Sequence, residues 1–184
     1  LIGDEQADRL TVSTLPASHS WFHADEERIF SRLDAMSGFL DVLGRQTGRL
    51  MQLGLEPEPF GHFHDTDGAI RFFNCLRIRS RRPELIERHL GLTYDTCHFA
   101  ILREEPEFTL SAWEENNIAL CKVQFSNALE CRICGEEDLE RLRQFDDGVY
   151  FHQTSILHRE GSMLFPDLPN ALAYGRDYAE EIRD

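Results

Sequence analysis

The sequence predicts an α/β protein organised on a parallel β-sheet, and three observations carry that prediction. Short apolar or β-branched runs alternate with helical patterns five times, at intervals of roughly 28 to 40 residues, the signature of strand–helix–strand units. Polar residues close the five runs: Thr14, Glu56, Asp95, Gln124 and His152. Crossovers between parallel strands keep one hand, so all five strand ends should meet at one rim.

In chain order, residues 1–9 are polar and read as the tail of an earlier segment. Leu10–Thr14 is a β-branched strand, followed by a loop, Leu15–His23, with Pro16, His19, Trp21 and His23. From Asp25 to Gly48, Ile29, Leu33, Met36, Phe39, Leu40 and Leu43 recur at spacings of three and four. This predicts a surface helix with one buried stripe. Leu50–Leu55 is the second strand, stopped by Glu56-Pro57-Glu58-Pro59, because proline cannot donate to a ladder.

A loop with His62 and His64 leads into a helix over 65–79, apolar at Ile70, Phe72, Phe73 and Leu76. Pro83 opens a helical turn reaching His89. Leu90–Asp95 is the third strand. A helix over 106–117 should bury Phe108, Leu110 and Trp113. Ile118–Phe125 is the fourth strand, Ser126–Gly135 a loop, and Glu136–Phe145 a short charged helix. Gly148–Gln153 is the fifth strand, Thr154–Phe165 a long loop, and Pro166 starts the final helix.

Five such units fit a doubly wound sheet or part of a barrel. Neither G-x-G-x-x-G nor G-x-x-x-x-G-K-[ST] follows any strand, which argues against a nucleotide fold. A closed eight-stranded barrel needs at least about 200 residues, and this chain has 184 and opens on Leu1. We therefore expect one domain over 1–184, the middle of a barrel within a longer protein.

Nineteen Lys and Arg against thirty-three Asp and Glu give a formal charge of −14, which repels nucleic acid. The basic cluster Arg77, Arg79, Arg81 and Arg82 is either a solvated helix end or a phosphate site. Five cysteines without a secretory signal point to a reduced, cytoplasmic setting. Cys131-x-x-Cys134 lacks the second ligand pair of a structural zinc site, so it is either chance spacing or a redox or metal pair. No apolar run approaches membrane length, so no membrane partner is expected.

Asp95, with His98 three residues on, offers a carboxylate and an imidazole at the rim where barrel active sites lie. Both are ligands that divalent metals accept. The other reading makes Asp95 a helix cap and His98 a packed histidine. Similarly, His19, His23, His62 and His64 either line a pocket or are surface residues. Trp21, Phe60 and Phe63 either stack on a substrate ring or pack the core.

Four motifs then carry a resemblance. Leu55-Glu56-Pro57-Glu58-Pro59, Tyr94-Asp95-Thr96-Cys97-His98, Lys122-Val123-Gln124-Phe125-Ser126-Asn127-Ala128 and Phe151-His152-Gln153-Thr154 appear in that order. Together they resemble the xylose isomerase-like TIM-barrel superfamily of sugar and sugar-phosphate isomerases, epimerases and endonuclease IV. Asp95-Thr96-Cys97-His98 is similar to endonuclease IV. Joined to Ser13-Thr14-Leu15-Pro16 and the run through Leu129, it is more similar to the EboE metabolite-traffic family. The resemblance spans about residues 10–172.

The resemblance implies a (β/α)8 barrel of which roughly strands three to seven are present. It implies a divalent metal (Mn, Mg, Zn or Co) on Glu56, Asp95, His98 and Gln124. Gln124 stands where the superfamily usually has a histidine, and an amide oxygen is a weaker, harder ligand. Catalytic roles fall to Glu56, Glu58 and His98, and substrate contacts to His62, Gln124, Asn127 and His152. The implied reaction moves a proton beside a metal-polarised carbonyl of a sugar or polyol-like metabolite. A non-catalytic barrel of the EboE type is the alternative. An apurinic-site nuclease is disfavoured by the charge and by an incomplete ligand set.

If the chain is the middle of a barrel, its two sheet edges lack partners. A longer form carrying the flanking strands is then expected to unfold at a markedly higher temperature. Equal thermal midpoints for the two forms count against the fragment reading.

Overall fold

Four six-residue runs form parallel strands: β1 (Arg9–Thr14), β2 (Leu50–Leu55), β3 (Leu90–Asp95) and β4 (Ala119–Gln124). They pair in the order β1-β2-β3-β4. Val12 lies opposite Leu53, Leu55 opposite Leu92, and Asp95 opposite Gln124. The computed structural model describes residues 8–148, 153–158 and 161–181. Its contacts fall into two compact units, Leu1–Ser126 and Asn127–Asp184, and all four strands belong to the first.

Five helices join these strands: α1 (Glu26–Thr47), α2 (Thr66–Arg79), α3 (Pro83–His89), α4 (Thr96–Leu102) and α5 (Pro106–Glu115). Their ends follow local chemistry. Asp25 accepts from the Glu27 and Arg28 amides, and Asp65 accepts from the Gly68 amide, each satisfying an orphan donor of the first turn. Pro83 and Pro106 sit in the first turns of α3 and α5, where a missing N–H costs nothing. Gly48 ends α1 with φ +71°.

One face of the sheet meets the helices. Leu55, Leu90, Leu92 and Tyr94 are buried with Phe72, Phe73, Leu76, Ile86, Phe99 and Trp113. Tyr94 stacks on Phe99 with ring centres 4.4 Å apart. The buried stripe of α1 runs through Phe30, Leu33 and Ser37. Met36 and Phe39, expected inside, are exposed. The stripe follows Phe30 (one position beyond Ile29), so the helix is rotated relative to the predicted face. Phe108 is also exposed, whereas Trp113 on the same helix is buried as expected.

Alternate residues point to the other face: Gln52 and Gly54 on β2, and Gly91, Thr93 and Asp95 on β3. The sheet curls toward this face. In a flat sheet the two edge strands would lie about 14 Å apart, yet Cα atoms of β1 and β4 come within 8 Å of each other. Arg9 Nη2 reaches across to the Leu120 carbonyl, and Lys122 Nζ to Ser13 Oγ at 3.0 Å. Two glycines permit the bend. A Cβ added at Gly54 would lie 2.5 Å from Thr93 Oγ1, and one at Gly91 would lie 2.2 Å from the Ala119 carbonyl oxygen. The architecture is thus mixed α/β with a curled, half-barrel sheet of four parallel strands.

The second unit holds α6 (Glu136–Arg143), β5 (Thr154–His158), β6 (Gly161–Phe165) and α7 (Leu168–Glu181). Leu139, Leu168 and Leu172 form its core. Thr154–Phe165, expected as a long loop, instead carries an antiparallel pair, with Thr154 opposite Phe165 and His158 opposite Gly161. Its strands show no clean apolar–polar alternation, which hid them. Most of the expected fifth strand, including His152, lies outside the described residues. Among the described residues no helix is long and apolar enough to cross a membrane.

The curl predicts a sharp difference between glycines. Gly91→Ala should lower stability by about 1–3 kcal/mol, the usual cost of overpacking, because backbone stands in the way. Gly135→Ala, where nothing lies within 4 Å of the added Cβ, should stay within about 0.5 kcal/mol of wild type. Urea unfolding midpoints check both.

Candidate functional site

The rim of the half-barrel gathers side chains from the ends of all four strands. Asp95 closes β3 and is 7% exposed. Its two oxygens have separate tasks. Oδ1 caps α4, accepting from the Cys97 amide at 3.0 Å, and it also accepts from the Ser126 hydroxyl. Oδ2 accepts from Gln124 Nε2 at 2.9 Å. The capping reading of Asp95 therefore describes one oxygen and leaves the other at the rim.

Gln124, at the end of β4, is the bridge. Its Nε2 donates to Asp95 Oδ2 and, also at 2.9 Å, to Glu56 Oε2. Its Oε1 accepts from Lys122 Nζ at 2.8 Å. Flipping the amide would set its oxygen against two carboxylates and its nitrogen against an ammonium, so the network selects this orientation. The resemblance implies Gln124 as an oxygen ligand to metal; here its nitrogen faces the carboxylates.

His98, in the first turns of α4, places Nδ1 3.4 Å from Glu56 Oε1, and both side chains are 15% exposed. That nitrogen is buried and has no hydrogen-bond partner. Ligand atoms of Asp95, Cys97 and His98 lie within 4.8 Å of one another. Carboxylate oxygen, thiol sulfur and imidazole nitrogen form a donor set suited to zinc-like cations. This donor set, with a buried imidazole that makes no well-formed hydrogen bond at Nδ1, fits the metal implied by the resemblance.

The environment separates the two carboxyl groups. Burial pushes Glu56 above the usual carboxylate range, the nearby charges of Asp95 and Glu58 add to the rise, and His98 and the Gln124 amide oppose it. Burial acts upward on Asp95 too, but the Ser126 hydroxyl and the Cys97 thiol and amide outweigh it and hold Asp95 below that range. Burial also raises the Cys97 thiol. Two carboxyl groups pushed in opposite directions form the pattern of an acid–base pair.

The remaining predicted residues lie elsewhere or at the margin. Glu58 is half-buried between Pro57 and Pro59, close enough to act on Glu56 by charge. His62 turns to Glu26, 3.3 Å away, and packs edge-on against Phe72. It lines a cleft of about 310 Å³ with Phe30, Phe63 and Arg71. His64 pairs with Asp65 at 3.4 Å, and Phe63 belongs to the core. His19 caps the short turn Ser20–Phe22 and packs on Trp21. Asn127 belongs to the second unit and is exposed, and His152 lies outside the described residues.

Sequence reasoning missed four members of the cluster: Ser13, Cys97, Lys122 and Ser126. Lys122 was signalled by its place two residues before Gln124 on one strand, where side chains share a face. Cys97 was signalled by standing beside His98. Nothing local marked Ser126, which is held by reciprocal bonds with Thr96 after the strand has ended.

The opposite shifts have opposite consequences for stability. A raised Glu56 contributes stability below the ordinary carboxylate range and loses it as pH rises through its folded pKa. A lowered Asp95 contributes stability above that range and loses it as pH falls through its folded pKa. In metal-free protein, Glu56→Gln should therefore raise the unfolding midpoint at neutral pH. That gain should shrink as pH falls toward the ordinary carboxylate range, as read by denaturant titrations at several pH values.

The chain matches no protein-family model and no curated protein.

Proposed function

We propose that this rim is the proton-transfer site of a divalent-metal-dependent isomerase or epimerase-like protein acting on a sugar, sugar phosphate or related polyol. One observation carries the reading: Glu56 and Asp95 are bridged by a single amide, with a buried nitrogen of His98, lacking a well-formed hydrogen bond, 3.4 Å from Glu56. Asp95 and His98, with Glu56 beside them, would hold the cation, which when bound polarises a carbonyl and acidifies the neighbouring C–H. Glu56 takes that proton at Oε1 and returns it to the adjacent carbon or the opposite face. Gln124 holds Oε2, so that oxygen stays oriented while Oε1, 3.4 Å from His98 Nδ1, is the one that reacts. Asp95 remains ionised under its hydrogen bonds and keeps the site anionic. Lys122 and Ser13 fix the Gln124 amide and so the position of both carboxylates. The motif resemblance to sugar-isomerase-like barrels supports the same chemistry.

A second reading has its own support. The Gln124 amide satisfies both carboxylates without any ligand, as suits a barrel that binds a metabolite without turning it over.

Solvent-deuterium exchange at the carbon beside the carbonyl, across a panel of aldoses, ketoses and their phosphates, separates the two. Wild type with divalent metal should exchange at least one panel member. Glu56→Gln should cut the rate about a hundredfold or more, the usual weight of a positioned acid–base group. Asp95→Ala should lose bound metal by elemental analysis. Binding without exchange in wild type favours the metabolite-binding reading. Absence of metal from wild type, even after incubation with each candidate ion, sinks the metal-dependent one.

A further inference from the structure

We infer that Cys97 is a metal ligand, making this a thiolate site for Zn²⁺ or Co²⁺ in which Gln124 takes no part. The inference rests on the metal reading above and specifies its donor set and the class of ion.

Three observations lead there. Asp95, Cys97 and His98 bring an oxygen, a sulfur and a nitrogen within 4.8 Å of one another. Zinc bond lengths of about 2.0–2.3 Å place neighbouring donors of a tetrahedral site roughly 3.3–3.8 Å apart. Side-chain rotations of about 1 Å thus close the three around one ion. Gln124 faces the carboxylates with its nitrogen, while Lys122 occupies its oxygen. It cannot offer that oxygen to a cation without breaking contacts with Lys122 and both carboxylates. His98 Nδ1 is buried and makes no well-formed hydrogen bond, with Glu56 Oε1 3.4 Å away as a loosely aligned ion-pair neighbour.

The backbone pre-sets the arrangement. The Cys97 amide is held by Asp95 Oδ1 and, at 3.1 Å, by Ser126 Oγ. Ser126 is itself tied to Thr96, its amide donating to Thr96 Oγ1 at 2.8 Å. Cys97 therefore enters the cluster on a fixed main chain. Its thiol must lose a proton to the solvent on binding, as any cysteine ligand does. Three protein ligands leave one position of a tetrahedral ion open, the pattern of catalytic rather than structural zinc. Sulfur selects borderline-soft ions, so Mg²⁺ and Mn²⁺ should bind far less well. This donor set also leaves Glu56 unligated and available for proton transfer.

Cobalt titration of the whole chain tests this, because a thiolate on Co²⁺ produces a near-ultraviolet charge-transfer band absent from oxygen and nitrogen sites. The expected result is that band together with visible cobalt absorption in wild type. Cys97→Ser should lose the band yet keep visible absorption, and a Cys131→Ser, Cys134→Ser double variant should keep both. Cobalt bound without the band, or a band that survives in Cys97→Ser, overturns Cys97 as a ligand and leaves the metal reading standing. No cobalt absorption in wild type overturns both. A second measurement needs no variant: Zn²⁺ should slow iodoacetamide labelling of Cys97, read by peptide mass spectrometry, and Mg²⁺ should not. Equal labelling with Zn²⁺ bound and absent rejects the inference.

Discussion

The close approach of β2, β3 and β4 at Gly54, Gly91 and Cys121 is the constraint on which the rest of the first unit depends. Side chains larger than hydrogen at the two glycines would meet Thr93, Cys121 or the β4 backbone, and the sheet would have to flatten. Flattening would separate strands two apart to nearly 10 Å. It would also withdraw Gln124 from Glu56, and Lys122 from Ser13. The curl gathers at one rim groups that the chain carries nearly 70 residues apart, as in the Gln124–Glu56 bond. The glycines hold no functional group, yet the site exists through the space they leave.

Curling the sheet brings an electrostatic cost with it. Glu56 and Asp95 are both within hydrogen-bond reach of one nitrogen, within the range of about 6 Å where like charges oppose each other's ionisation. The fold settles this unequally. Asp95 receives hydrogen bonds from Ser126, Cys97 and Gln124 and stays charged. Glu56 receives the Gln124 amide and only the loosely aligned His98, so burial and its acidic neighbours prevail. The division follows the elements. Asp95 ends a strand at a helix start rich in donors, whereas Glu56 enters a turn of prolines, which have none to give.

These rules also mark where the sequence could be read. Short apolar or β-branched runs with polar residues at or near their ends located all four strands of the first unit, and apolar periodicity placed the starts of α1 and α2 beside Asp25 and Asp65, which cap them. Asp95, His98 and Glu56 were legible because strand ends in a parallel sheet converge. Other features depend on pairings that periodicity does not encode. The face that α1 buries, with Phe30 against Phe72 of α2 and Phe39 exposed, follows from packing against α2, α3 and β2. The Thr154–Phe165 hairpin has no alternation to expose it. The amide orientation of Gln124 depends on Lys122 and Ser13, one on its own strand and one 111 residues away on the opposite edge. His62 was grouped with the site by its place in a rim-side loop, but the loop turns it to Glu26 instead.

The same network bears on the kind of molecule the rim suits. Its polar groups are two carboxylates, an amide, an ammonium, an imidazole, a thiol and two hydroxyls. A ligand replacing these mutual contacts must both donate and accept hydrogen bonds at closely spaced points, or leave buried polar groups unpaired at a cost of about 1–3 kcal/mol each. Vicinal hydroxyls meet that demand, since each is donor and acceptor at once. A purely apolar ligand does not, and a polyanion meets the carboxylates head on, with Lys122 the cation already engaged in the cluster. Under the proposed function, a polyhydroxylated metabolite with at most one phosphate, turned toward Lys122, is the class that would fit these contacts.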